Sequence, residues 1–305
     1  MVRRKSGLMW DSAIAASDQP VGSAVDLRIE PFDVQQTLDG GQAFGWYQSA
    51  DGSYRGVLGD RVVAIGSDGR RVSYRVENGG GQTDMKERVE DYLVATTDVD
   101  RLRTALSREP GYGEEVRKMP LIRVMRQDPW ECLAGFICSQ NSNIPRIKQM
   151  VASVARLGRR VGDDDWAFEF PHPSVVADVG EMGLRGIGLG YRGKHLAPTA
   201  AVLADSVDIS SLREATYVDA RVALMELPGV GPKVADCILA YSLDKGEAFP
   251  VDVHVRRAAI RLYGLDERIK NEYVGEWARD RFGEYAAWAQ LYMFRDEINR
   301  RTNGG

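Results

Sequence analysis

Between Val25 and Val76 apolar and polar residues alternate over short stretches set apart by Gly/Asp turns, the period-two pattern of half-buried strands. Strands are predicted at Ala43–Tyr47, Tyr54–Leu58, Arg61–Ile65 and Arg71–Val76, with Asp51-Gly52 and Asp68-Gly69 as hairpin signals. Strands joined by such tight turns pair antiparallel. Gly79–Gly81 reads as a flexible connection, and beyond it the period changes. Val89, Tyr92 and Leu93 fall on one side of a helix predicted over Met85–Ala95, and from about Leu121 nearly everything reads as helices broken by Gly and Pro. The chain up to about Ala24 is polar with little periodicity and is expected to extend loosely. The pattern predicts an α+β protein: a loose extension (1–24), an N-terminal antiparallel β-sheet domain (25–118), then a mostly α-helical domain (119–305).

Composition narrows the setting. A chain of 305 residues suits about two domains, and 44% hydrophobic residues is ordinary for a globular protein. No apolar run approaches the ~20 residues that span a bilayer, so no membrane partner is expected. Arg3, Arg4 and Lys5 are followed by Asp11 and Asp18, which leaves no secretory core segment. Cys132, Cys138 and Cys237 are odd in number and widely spaced, which fits a reducing interior: cytoplasm or nucleoid, or the nucleus in a eukaryote. His172, His195 and His254 show no metal-ligand spacing, and no metal is expected.

A net charge of −4 argues mildly against a nucleic-acid partner, but the distribution argues the other way. Arg146, Lys148, Arg156, Arg159 and Arg160 lie in a stretch from Cys132 to Val161 that contains no acid. Arg185, Arg192 and Lys194 form a second cluster, and His254, Arg256, Arg257 and Arg261 a third. Such stretches favour phosphate contacts.

The densest chemistry lies in Leu227-Pro-Gly-Val-Gly-Pro-Lys233-Val-Ala-Asp-Cys237, with Asp252 nineteen positions beyond Lys233 in Pro-Val-Asp-Val-His254. Gly229 and Gly231 can take φ > 0 and leave backbone N–H groups uncovered for a phosphate. Pro232 suits the first position of a helix, where its missing N–H costs nothing. Val234, Cys237, Ile238 and Tyr241 give that helix an apolar face, and Val218, Val222 and Met225 mark a helix before it, so 218–243 reads helix, hairpin, helix. Lys233 then sits in a first turn, where the helix dipole disfavours its protonated form and favours a nucleophilic amine. Asp252 would act as a carboxylate in the site or cap the helix from Val253 to Tyr263.

The joint pattern resembles the helix-hairpin-helix, Gly/Pro-rich, aspartate superfamily of DNA glycosylases, and the lysine with Val-Ala-Asp-Cys is similar to the 8-oxoguanine DNA glycosylase family. The resemblance runs from about Asp26 to Arg300 and implies double-stranded DNA containing an oxidised purine as partner, a monomeric enzyme, no cofactor, Lys233 as nucleophile and Asp252 as the carboxylate that stabilises charge on the sugar. Three cysteines exclude the four-cysteine iron–sulfur cluster of some relatives. Gly229, Gly231 and His254 would contact phosphate.

Three further segments carry the resemblance. Ser139-Gln-Asn141-Ser-Asn-Ile-Pro-Arg146 is similar to the family's asparagine-rich turn, in which Asn141 and Arg146 would hold the orphaned cytosine; Gln140, Ser142 and Pro145 depart from the usual pattern. Gly188-Leu-Gly-Tyr191-Arg192 resembles the segment in which Tyr191 would wedge into the gap left by the extruded base and Arg192 would complete the cytosine contacts. Gly40-Gly41-Gln42-Ala43-Phe44-Gly45-Trp46 resembles a Gly-Gln-x-Phe-Arg-Trp segment, with Gly45 in place of the arginine. There the Gly41 carbonyl would accept N7–H of 8-oxoguanine, a proton that guanine lacks. Gln290 would read the Watson–Crick edge, and Phe294, four residues on, would stack on the base opposite Cys237. The reading is a bifunctional DNA glycosylase/AP lyase for 8-oxoguanine, opposite cytosine. Its rivals are an alkylpurine or other-lesion glycosylase of the same superfamily, against which Lys233 argues, and a non-enzymatic helix-hairpin-helix DNA-binding protein.

Overall fold

Five strands form one antiparallel sheet: β1 (Val25–Leu27), β2 (Tyr47–Gln48), β3 (Tyr54–Leu58), β4 (Arg61–Ser67) and β5 (Val72–Val76), in the order β1-β5-β4-β3-β2. The computed structural model describes residues 24–78, 82–205 and 208–303. The expectations for residues 1–23 and for 79–81 lie outside these. Register follows the turns: Leu58 faces Arg61 across the β3–β4 hairpin, and Ser67 faces Val72 across the β4–β5 hairpin, where Asp68 Oδ1 accepts the Arg70 and Arg71 amides. One predicted strand is corrected. Ala43 to Trp46 is apolar and buried, yet it is loop, with only Tyr47 reaching a ladder. The buried Gln42 side chain holds this loop to the next layer, giving hydrogen bonds to the carbonyls of Thr37 and Arg123 and accepting the Met125 amide.

Helices follow and cover one face of the sheet. The first is short and lies between β1 and β2: α1 (Val34–Leu38), capped by Asp33. Then come α2 (Gln82–Tyr92), which starts and ends three residues before the predicted Met85–Ala95, α3 (Val99–Ser107), α4 (Gly113–Lys118), α5 (Pro129–Ser139) and α6 (Ile144–Ala155). α7 (Pro173–Leu184) runs through a kinked Gly-rich turn into α8 (Gly193–Asp205), and α9 (Tyr217–Met225), α10 (Pro232–Ser242), α11 (Val253–Tyr263), α12 (Asn271–Phe282) and α13 (Ala286–Asn303) complete the chain. Asp128 caps α5 by accepting the Glu131 amide at 2.9 Å, with Pro129 opening the helix. Cys132 to Cys138 is buried throughout, so α5 is the central helix rather than an amphipathic one. α10 packs on α5 and α9, and α13 packs on α11. These two pairings set the site.

Candidate active site

The predicted helix-hairpin-helix is α9, a turn over 226–231, and α10. Val218, Val222 and Met225 do lie on α9, but they face solvent; Tyr217, Ala220 and Leu224 are its buried stripe. Only one of the two hairpin glycines has positive φ. Gly229 sits at φ +79, and a Cβ there would meet His195 Cβ at 2.5 Å. Gly231 is extended at φ −93, ψ 179, as the N-cap of α10 needs. Neither amide has an acceptor among the described residues, which leaves both for an outside anion.

Lys233, Cys237 and Tyr241 recur every four residues along α10 and line one cavity of about 380 Å³. Lys233 Nζ lies 4.7 Å from the centre of the Phe136 ring. Burial pushes the Cys237 thiol up to about 12, against the pull of the Lys233 charge and hydrogen bond beside it. That thiol stays protonated at neutral pH and is no nucleophile. Asp252 enters the same cavity from the start of α11. It is also the N-cap: Oδ1 accepts the His254 and Val255 amides at 2.9 and 2.8 Å. Oδ2 has no hydrogen bond among the described residues. The capping reading of Asp252 therefore holds through Oδ1, and the cap makes no use of Oδ2.

Gly41, Gln290, Phe294 and His254 line the cavity too. Gly41 stands at φ +98, and a Cβ there would crowd Phe294 Cε1 at 3.3 Å and Ile144 Cδ1 at 3.4 Å. Its neighbour Gln42 pins the loop, and Gln127 Nε2 donates to the Gln42 carbonyl at 2.8 Å. Gln290, 4% exposed, accepts from Tyr241 Oη at 2.6 Å through Oε1. The His254 ring meets Phe294 edge-on at 5.8 Å, and His254 Nδ1 is buried with no partner among the described residues. The sequence reading used Tyr241 only as apolar surface; its position four residues after Cys237 is the signal that puts it in the site.

A second group gathers beside the hairpin. Asn141 adopts φ +48, unusual for a residue with a Cβ but tolerated by Asn. Its Nδ2 donates to Tyr191 Oη at 3.0 Å, and Tyr191 Oη donates to the Gln140 carbonyl at 3.1 Å. Arg192 is buried, with Nε 3.0 Å from the Gln140 carbonyl and Nη2 3.1 Å from that of Asn141. Arg146 Nη2 donates to the Gly188 carbonyl at 2.7 Å. Asn141, Arg146, Tyr191 and Arg192 thus come together as expected, outside the base-sized cavity. Sequence reasoning missed what joins them to the hairpin: Gln140 Nε2 donates to the Gly229 carbonyl at 2.6 Å.

The acid-free stretches in sequence are neutralised only in part in space. Arg185 pairs with Glu181 at 2.7 Å, Lys148 with Asp39 at 2.6 Å, Arg159 with Glu169 at 2.8 Å and Arg261 with Asp296 at 2.5 Å. Arg146, Lys194 and Arg257 carry no ion pair among the described residues. A larger cavity, about 550 Å³, opens elsewhere, between Gly45 and Tyr47 on one side and Trp130, Glu131, Trp166 and Phe170 on the other; Arg159 and Glu169 line it, but none of the predicted catalytic, base-pocket, cytosine or phosphate residues does.

The family model described as 8-oxoguanine DNA glycosylase, N-terminal domain, matches residues 24–133, and that of the HhH-GPD superfamily base excision DNA repair protein matches residues 134–282. The chain is 37% identical over 280 residues to the N-glycosylase/DNA lyase OGG1 of Arabidopsis thaliana, covering 86% of this chain and 76% of that one. Among solved structures it is similar to MBOgg1 in complex with a low-affinity DNA ligand, with a TM-score of 0.85 and 31% identity over 93% of this chain and 98% of the other. It is also similar to Clostridium acetobutylicum 8-oxoguanine glycosylase/lyase in complex with dsDNA containing cytosine opposite 8-oxoG, with a TM-score of 0.83 and 26% identity over 94% and 100%. With both halves matched and the Arabidopsis relative aligned over most of its length, this chain belongs to the 8-oxoguanine DNA glycosylase family of the HhH-GPD superfamily.

Proposed function

We infer that the chain is a DNA N-glycosylase with AP lyase activity that removes 8-oxoguanine from double-stranded DNA. The observation that carries the mechanism is convergence: Lys233 from the start of α10 and Asp252 from the start of α11 border one cavity, walled by Gly41, Cys237, Gln290 and Phe294. Lys233 Nζ, as the neutral amine, attacks C1′; the C1′–N9 bond breaks and the base leaves with the electron pair, to be protonated. Loss of the amine's protons and opening of the sugar give an imine. The imine acidifies C2′–H, so removal of that proton expels the 3′ phosphate and nicks the strand. Asp252 Oδ2 stabilises positive charge developing on the sugar.

Within this scheme the Gly41 carbonyl tests for N7–H, Gln290 reads the Watson–Crick edge, and Phe294 and Cys237 hold the base between them. Gly229, Gly231 and His254 receive backbone phosphates. Tyr191, 37% exposed beside Asn141, fills the vacated stack, while Asn141, Arg146 and Arg192 meet the orphaned cytosine. Borohydride reduction of a reaction on an 8-oxoguanine:cytosine duplex tests the core of this. The expected result is a covalent protein–DNA adduct that Lys233→Gln abolishes together with base release, while duplex binding persists. An adduct of undiminished yield in the variant moves the nucleophile elsewhere.

A further inference from the structure

A glutamine amide is nearly symmetric in outline. Rotated by half a turn it exchanges its donor and its acceptor, so a freely turning Gln290 would suit two different purine edges. A guanine-type edge presents the O6 acceptor beside the N1–H donor. An adenine-type edge presents the N6–H donor beside the N1 acceptor. Something must break this tie if the cavity is to prefer one.

Tyr241 is placed to break it. Its hydroxyl lies 2.6 Å from Gln290 Oε1, both side chains are buried, and both line the cavity. Burial holds the phenol well above its ordinary range, so it keeps its proton. Among the described residues Oε1 is the acceptor for that proton. Turning the amide over would put Nε2 against the hydroxyl and leave the phenol's hydrogen buried without an acceptor, an imbalance of about ten- to hundredfold in population. The ring itself is held: it stacks on Phe136 at 5.7 Å, and the Tyr241 carbonyl takes the Gln127 amide at 2.9 Å.

We propose that Tyr241 is a positioning residue that fixes the rotation of the Gln290 amide, so that the cavity reads a guanine-type edge and refuses an adenine-type one. The inference rests on the reading above that Gln290 faces the Watson–Crick edge of an extruded purine. 8-Oxoadenine is the informative comparison, because it keeps the N7–H and 8-oxo group and differs at the edge in question. Tyr241→Phe removes the hydroxyl and leaves the stacked ring.

The experiment is single-turnover release of 8-oxoguanine and 8-oxoadenine, each opposite cytosine, by the wild type, Tyr241→Phe, Gln290→Ala and the double variant. Release of 8-oxoguanine by Tyr241→Phe should fall only about twofold, since the base can select the correct half of a now mixed population. Release of 8-oxoadenine should rise about tenfold. In the Gln290→Ala background the hydroxyl's removal should change neither rate, which a merely structural role for Tyr241 would not produce. No gain on 8-oxoadenine, or the same change with and without Gln290, overturns the inference while leaving the enzyme's assignment intact. A wild type that releases no 8-oxoguanine overturns that assignment, and the inference with it.

Discussion

Glu131 is a carboxyl where its surroundings do not want a charge. It lines the 550 Å³ cavity, partly buried in the first turn of α5, with no ion pair among the described residues. Burial, with the Asp128 charge adding to it, pushes its pKa from 4.5 up to about 8. The unfolded chain releases this proton near the ordinary value, whereas the folded protein holds it until near 8. Between those values the unfolded state binds fewer protons, so stability falls as pH rises through the window and levels off above it. At ~1.4 kcal/mol per pH unit the ceiling is about 5 kcal/mol, which water at the cavity mouth reduces to a few. Glu131→Gln keeps the shape and removes the charge. Urea unfolding should give the variant and the wild type a fixed offset near pH 5, and a variant more stable relative to that offset by roughly 2–4 kcal/mol near pH 9. Parallel pH profiles would refute the reasoning. Gly45 lies beside this carboxyl, a Cβ there coming within 3.3 Å of Glu131 Oε1, so the arginine of the related segment is missing where a cation would have relieved it.

Asp252→Asn keeps an oxygen to cap α11, so thermal unfolding should be nearly unchanged while single-turnover base release drops by roughly 10²- to 10³-fold, the scale of removing a preorganised charge-stabilising group; near-normal rates would reduce Asp252 to a cap. 8-Oxoguanine should be released at least about tenfold faster opposite cytosine than opposite adenine, about one base contact's discrimination, and equal rates would leave Asn141, Arg146 and Arg192 as turn structure. A 7-deaza analogue that keeps the 8-oxo group but lacks N7–H should bind the wild type about ten- to hundredfold more weakly, since the Gly41 carbonyl loses its donor; binding equal to 8-oxoguanine in a competition assay would place the discrimination at the 8-oxygen.

Much of this was legible because short-range chemistry and geometry coincide. Tyr54–Leu58 is a strand with the predicted limits, since Asp51-Gly52 before it and the alternation within it are local signals. Lys233, Cys237, Gln290 and Phe294 were legible through the hairpin motif and the family resemblance, and their spacing of four on two helices brings them around one cavity. What failed depends on distant partners. Ala43 to Trp46 has a strand's composition, but the bonds from Gln42 to Arg123 and Met125 override it. α9 carries two apolar stripes, and only packing against α10 decides that Leu224 turns inward and Val222 outward. Lys148 and Arg261 looked unopposed because Asp39 and Asp296 lie far off in sequence, whereas Glu181 and Glu169 lie just outside the runs that hold Arg185 and Arg159 and reach back to them through the fold.

Gln140 belongs to two structures at once. Its carbonyl receives Tyr191 and Arg192, and its side-chain amide holds the carbonyl of Gly229. The group proposed to meet the undamaged strand and the turn that carries Lys233 are therefore mounted on a single residue. An ångström of travel by one either breaks a short hydrogen bond or carries the other along. On the proposed roles, such a joint would make inspection and incision mechanically dependent: a duplex that seats badly against the asparagine turn would also spoil the aim of the amine, giving the strand opposite the lesion a say in whether the backbone is cut.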